Sequence, residues 1–148
     1  MAYSSIVVGT DGSPTAERAV RQAGELASID SARLVIVTAY TPDQHLSERV
    51  DEVPEEIRFA LTDRIQAEAL AERGREVAKE LGVKKVVVQA IAGDPSAVLL
   101  EAAKDFDAGL IVVGSKGLTS HAHFILGSVA SSVSHHAPCD VLVAHTTD

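Results

Sequence analysis

Five short runs of branched aliphatic residues recur along the chain of 148 residues, and they limit its fold more than any other feature. They are Ser5-Ile-Val-Val-Gly9, Leu34 to Tyr40, Lys85 to Ile91, Gly109 to Gly114 and Val141 to His145. Each is too short for a stable helix and none alternates polar with apolar, so they read as strands buried on both faces. The segments between them carry helical spacing. Val20, Ala23, Leu26 and Ala27 form one stripe; Ile57, Leu61, Ile65, Ala69, Val77 and Leu81 a second; Val98, Leu99, Ala102 and Ala103 a third. A short fourth helix spans about Gly127 to His136, with Pro138 as its stop. Pro14 and Pro95 are well placed as first helical residues, and Asp94 precedes Pro95 as a cap. The second stripe starts near Pro54, after a polar stretch from Thr41 to Val53 that reads as a loop, and Gly74 inside it predicts a kink or break.

The resulting order is βαβαβαβαβ. Two-faced apolar strands alternating with helices imply a parallel five-stranded sheet covered on both sides, a doubly wound α/β fold. The length suits one domain over residues 1–148. In such sheets ligands bind beyond the carboxyl ends of the strands, where the strand order reverses.

Composition narrows the function classes. Aromatic residues make up only 3% of the chain, with no Trp, so platforms for stacking single-stranded nucleic acid are lacking. Thirteen basic residues against 21 acidic ones give a formal net charge of −8, which disfavours nucleic acid and anionic membrane surfaces as partners. No run of about 18 apolar residues exists to span a bilayer. The single cysteine, Cys139, predicts a cytoplasmic chain and reads as an inert, semi-buried thiol.

Two strand-to-helix loops could carry chemistry. The first is Gly9-Thr10-Asp11-Gly12-Ser13; the second begins Gly114-Ser115-Lys116-Gly117 and resumes at Gly127-Ser128. Both place glycine and backbone N–H groups before a helix N-terminus, the outline of a phosphate site. The plainer reading of the first loop is that Asp11 and Ser13 cap the helix while Gly12 makes the turn. The run Gly109 to Lys116 only mimics a P-loop, because Ser-Lys replaces Lys-Ser/Thr and the middle residues form a strand. No G-x-G-x-x-G or G-x-S-x-G motif occurs. His121 and His123 stand two apart and so do not share a helix face, which argues against a metal pair.

The spacing Gly114-x2-Gly117-x9-Gly127-Ser128 resembles that of the ATP-binding subgroup of the universal stress protein family, and the likeness covers nearly the whole chain. Ile6 to Ser13, Gly93-Asp94-Pro95, Leu126 to Val129 and Ala137 to Val143 match that family in order and spacing, as in single-domain members of actinobacterial type. The resemblance implies a Rossmann-like sheet of order 3-2-1-4-5, as in the adenine nucleotide alpha hydrolases. It further implies an adenine nucleotide as ligand, ATP or else AMP or cyclic AMP, and a stress-response or signalling role. Thr10 and Asp11 would then lie near ribose, phosphate or a bound Mg²⁺, with Asp11 the residue facing the metal. Ala39 would line the adenine pocket and Val113 would flank sugar or base. Gly114, Gly117, Gly127, Ser128 and the N–H of Val129 would hold phosphates and ribose. A homodimer through the strand-5 edge is also implied, with Val141 and Val143 at the contact and Leu142 on the opposite face.

Many relatives carry Arg or Lys within the x9 stretch, whereas this chain has His121 and His123. Histidines of ordinary pKa are mostly neutral at pH 7 and attract a triphosphate less than Arg would. No base for an attacking water is evident, so slow hydrolysis or autophosphorylation stands as an alternative reading, beside a nucleotide-independent dimeric interaction protein.

Overall fold

The computed structural model describes residues 2–41, 64–115 and 127–145. Gly117, His121, His123, the polar stretch from residue 42 and the expected helix start near Pro54, with Ile57 and Leu61, lie outside the described residues. Within them the order is β1 (Ser5–Gly9), α1 (Pro14–Asp30), β2 (Arg33–Tyr40), α2 (Arg64–Glu80), β3 (Lys85–Ala92), α3 (Pro95–Asp105), β4 (Leu110–Gly114), α4 (Ser128–His136) and β5 (Asp140–Ala144).

The strands form one sheet of order β3-β2-β1-β4-β5 with every neighbouring pair parallel, as the sequence predicts. β1 is central. Val8 lies level with Ile36 of β2 and with Val112 of β4, so the chain leaves β1 and β4 side by side at the carboxyl edge. Successive strand residues point to opposite layers. Ile6, Val8, Leu34, Ile36, Leu110 and Val112 face α1 and the C-terminal part of α2, while Val7, Val35, Val37, Ile111 and Val113 face α3 and α4.

The helices meet this branched surface with small residues. α1 buries Ala19, Val20, Ala23, Gly24 and Ala27; α2 buries Ala67, Ala71, Gly74 and Ala78. Branched sheet residues against small helix residues bring the layers close together, so few aromatics are needed to fill the core. α2 departs from the stripe expected for it. Ile65 is 78% exposed and Ala69 also faces solvent, because the buried face is carried by alanines and one glycine rather than by the large residues. Gly74 does not break the helix. A Cβ there would lie 3.0 Å from Ile36 Cγ2, so the glycine permits close seating of α2 on the sheet.

At the opposite edge of the sheet Arg33 holds the start of β2 in place. Its Nη2 donates to the Phe106 carbonyl (2.8 Å) and its guanidinium lies 5.1 Å from the centroid of the Phe106 ring. Tyr3 ties the N-terminal segment down there too, its hydroxyl donating to Asp140 Oδ2 at 2.9 Å. That hydrogen bond, with some desolvation and the negative charge of Asp140, raises the phenol pKa above its ordinary value.

Among the described residues two buried polar side-chain atoms have no partner, Arg33 Nε and Thr38 Oγ1. Thr38 is 1% exposed and its Oγ1 makes no hydrogen bond. An orphaned hydroxyl of this kind costs roughly 1–3 kcal/mol of desolvation, and a near-isosteric methyl removes that cost. Thr38→Val is therefore expected to raise unfolding free energy by about 1 kcal/mol in urea titration. A loss of stability would mean that the hydroxyl has a partner in solution.

Candidate functional site

The candidate site lies at the carboxyl edge, where β1 and β4 adjoin and the chain diverges to opposite layers. The loop after β1 is held by its own side chains. Thr10 N–H donates to the Val37 carbonyl (2.9 Å), Gly12 N–H to Thr10 Oγ1 (3.1 Å) and Ser13 N–H to Asp11 Oδ1 (2.9 Å). Gly12 takes φ +82°, a conformation that favours glycine. Ser13 is the N-cap of α1, its Oγ accepting from Ala16 N–H at 3.2 Å. The capping reading of this loop thus holds, and three of its N–H groups are already engaged. What the loop offers a ligand is Asp11 Oδ2 rather than an array of free amides.

α3 is capped in the same manner. Asp94 accepts from the Ser96 hydroxyl (2.6 Å) and from Ala97 N–H (3.2 Å), and these bonds, the Ser96 one foremost, lower its carboxyl pKa. α4 differs. Its N-cap is Gly127, which has no side chain to cap with, so the first-turn N–H groups of Ser128 and Val129 receive no cap from their own N-cap residue. Gly127 sits at φ −61°, ψ 160°, which any residue can adopt, so the backbone conformation does not itself require glycine there. The macrodipole adds partial positive charge at the same point.

The second loop is anchored at both ends by Ser115. Its N–H donates to the Ala144 carbonyl (2.8 Å) and its carbonyl accepts from Gly127 N–H (3.0 Å). Gly127's own N–H is therefore used internally, and Ser131 N–H makes the first bond of the helix, to the Gly127 carbonyl, so the N–H groups of Ser128, Val129 and Ala130 have no carbonyl within the helix. Both of the Ser115 bonds are made by main-chain atoms, so the residue type at position 115 gives no sequence signal for them.

The structure brings most expected residues to this edge. Gly114 ends β4 and pairs with Ala144; Ser128 is exposed and presents its hydroxyl at the helix start; Val129 is half-buried against the α3–α4 layer. Ala39 ends β2 on that same layer, half-buried. Tyr40, next along β2, alternates to the other layer. Val113 is 4% exposed, its side chain part of the core under α3 and α4. Among the described residues no cluster of three or more metal-ligating side chains occurs. Asp11 alone fits Mg²⁺ only as an ion carried in by phosphates. Burial, then the negative charge of Asp140, pushes the Cys139 thiol pKa up, in keeping with an unreactive thiol.

The two jobs of Asp11 are separable. Asp11→Asn keeps an oxygen for Ser13 N–H and is expected to leave stability within about 0.5 kcal/mol, whereas Asp11→Ala loses about 1 kcal/mol in urea titration. Equal losses would show that the charge, not the turn, is what the loop needs.

With the fold and the site described, the comparisons with known proteins can be placed on them. Residues 2–145 match the profile of the Universal stress protein family. A universal stress protein of Mycobacterium tuberculosis is 38% identical over 146 residues, covering 99% of each chain. Among solved structures, a universal stress protein in complex with cAMP superposes with a TM-score of 0.75 at 33% identity, over 99% of this chain and 100% of that one. The universal stress protein from Archaeoglobus fulgidus in complex with dAMP gives 0.69 at 25% identity, over 97% and 98%. A family match along almost the whole sequence, joined to the same fold, leads to one conclusion: this chain belongs to the universal stress protein family.

Proposed function

We propose that this chain binds an adenine nucleotide at the carboxyl edge of β1 and β4 and works in the cytoplasm as a homodimeric stress-response or signalling protein. The observation that carries the reading is the uncapped N-terminus of α4. Helices α1 and α3 use Ser13 and Asp94 to satisfy first-turn amides, whereas the glycine N-cap of α4 supplies no side-chain acceptor to Ser128 and Val129. A phosphate is such an acceptor, and the helix dipole favours its charge. The Ser128 hydroxyl adds one more donor, and Gly114 and Gly127 keep side chains away from the approach. Asp11 Oδ2 suits a ribose hydroxyl or, with a di- or triphosphate, the accompanying Mg²⁺. Ala39, small and on the α3–α4 layer, leaves room for a base beyond β2.

Relatives with cAMP and dAMP support the adenine class, and ATP, AMP and cyclic AMP all suit donors made of backbone amides. Gly117, which belongs to the same spacing, extends the proposed site beyond the described residues. Binding is the activity proposed, since the donors described here are main-chain amides and a hydroxyl, which hold a phosphate.

The dimer reading rests on β5, which has a strand partner on one side only. Val141 and Val143 are half-buried against the α3–α4 layer, with Leu142 on the other, so an apolar edge is left for a second copy.

Calorimetric titration with ATP, AMP and cyclic AMP, with and without Mg²⁺, tests the ligand. The wild-type chain is expected to bind at least one, and Gly127→Val to weaken that binding by about tenfold or more while keeping its helical circular dichroism, since one blocked phosphate contact is worth about 1.5–3 kcal/mol. Unchanged affinity in Gly127→Val would refute the α4 assignment. For the dimer, Val143→Glu is expected to sediment as a monomer at concentrations where wild type is dimeric. A variant that stays dimeric would move the interface away from β5.

A further inference from the structure

α2 packs against the first loop through Leu70. Leu70 lies so close over Gly12 that a Cβ at Gly12 would collide with Leu70 Cδ2 and stand 3.3 Å from both Cδ1 and Cγ. The loop's own hydrogen bonds, Gly12 to Thr10 and Ser13 to Asp11, span two residues each. Bonds that local set the loop's shape but not its place on the sheet. Placement comes from Thr10 N–H on the Val37 carbonyl and from Leu70 packed against Gly12 on the α2 side. Leu70 is itself backed by a rigid seat. One turn on, Gly74 lies against Ile36, and Ala67 and Ala71 are buried with it, so the backbone that carries Leu70 is fixed against the sheet.

We propose that Leu70 is a positioning residue for the nucleotide: it holds the Thr10–Ser13 loop in its binding-competent place and sets affinity without touching the ligand. This rests on the adenine-nucleotide reading above. Leu70 lies in the α1–α2 layer, whereas the phosphate-binding amides proposed above belong to α4 in the other layer. Its influence therefore passes through Gly12 and Asp11. A loop that holds the competent position for only a fraction of the time weakens binding by the reciprocal of that fraction.

The test uses Leu70→Ala with Val77→Ala as its control, because Val77 lines the same α1–α2 groove and is half-buried on the same helix, while the three atoms nearest a Gly12 Cβ all belong to Leu70. Two readouts are taken on the full chain: calorimetric affinity for AMP, ATP and cyclic AMP, and hydrogen exchange of the Gly12 and Ser13 amides without ligand. Leu70→Ala is expected to weaken nucleotide binding about fivefold and to speed exchange at both amides about tenfold, with Leu70→Met restoring both and Val77→Ala changing neither. Equal effects of Leu70→Ala and Val77→Ala would show a general loss of stability and overturn the proposal. Unchanged exchange in Leu70→Ala would also overturn it, whatever the nucleotide data show. If wild type binds no adenine nucleotide, the underlying reading fails and the affinity claim with it, while the exchange arm still decides whether Leu70 places the loop.

Discussion

The contact between a branched sheet and small-faced helices is the constraint on which the rest of this structure depends. β1 and β4 are buried on both sides, and they can be so only if helices approach both faces closely. Alanine and glycine along α1 and α2, and Ala102 and Ala103 on α3, permit that approach, while Val, Ile and Leu on the strands supply the apolar volume. The scarcity of aromatic residues follows from this division. So does the position of the site: with both faces covered by helices, the carboxyl edge of the sheet is left to the loops, and the widest divergence of chain falls between β1 and β4.

At that edge the three described helix starts are treated differently. Two are closed by the side chains of their N-cap residues, and the third has as N-cap a glycine of ordinary backbone conformation, with no side chain to close it. The difference matters in a chain of net charge −8, which repels extended polyanions at long range. A small anion can still be held by dipoles acting within a few ångströms, where fixed amides outweigh a diffuse and screened surface charge. The first loop contributes geometry and one carboxylate oxygen, since its amides are occupied by Thr10, Asp11 and Val37.

Much of this was legible from residue order. Strand runs announced themselves because burial on both faces demands unbroken apolar stretches, and Pro14, Asp94 and Pro95 marked helix starts because their chemistry suits those positions. The phase of α2 was not legible in the same way. Ile65 suggested a buried stripe, but the helix is seated through Ala67, Ala71, Gly74 and Ala78, and a face made of small residues gives little hydrophobic periodicity. Gly74 looked like a weak point for the same reason: its cost to an isolated helix is visible in sequence, and its contact with Ile36 is not. Around the site, glycines mark where β4 ends and α4 begins, yet main-chain bonds such as Gly127 to Ser115, and the packing of Leu70 on Gly12 from a distant part of the sequence, leave no sign in residue order.

The central claim is that the open amides of α4 hold the phosphate of an adenine nucleotide. Its most direct test is a titration of the ¹⁵N-labelled protein with AMP, followed by amide chemical shifts. The account predicts that Ser128 and Val129 move most, with Gly114 and Asp11 following and the α1–α2 groove residues Val20 and Val77 nearly still. Saturable shifts centred on that groove, or no saturable shifts with AMP, ATP or cyclic AMP, would contradict it.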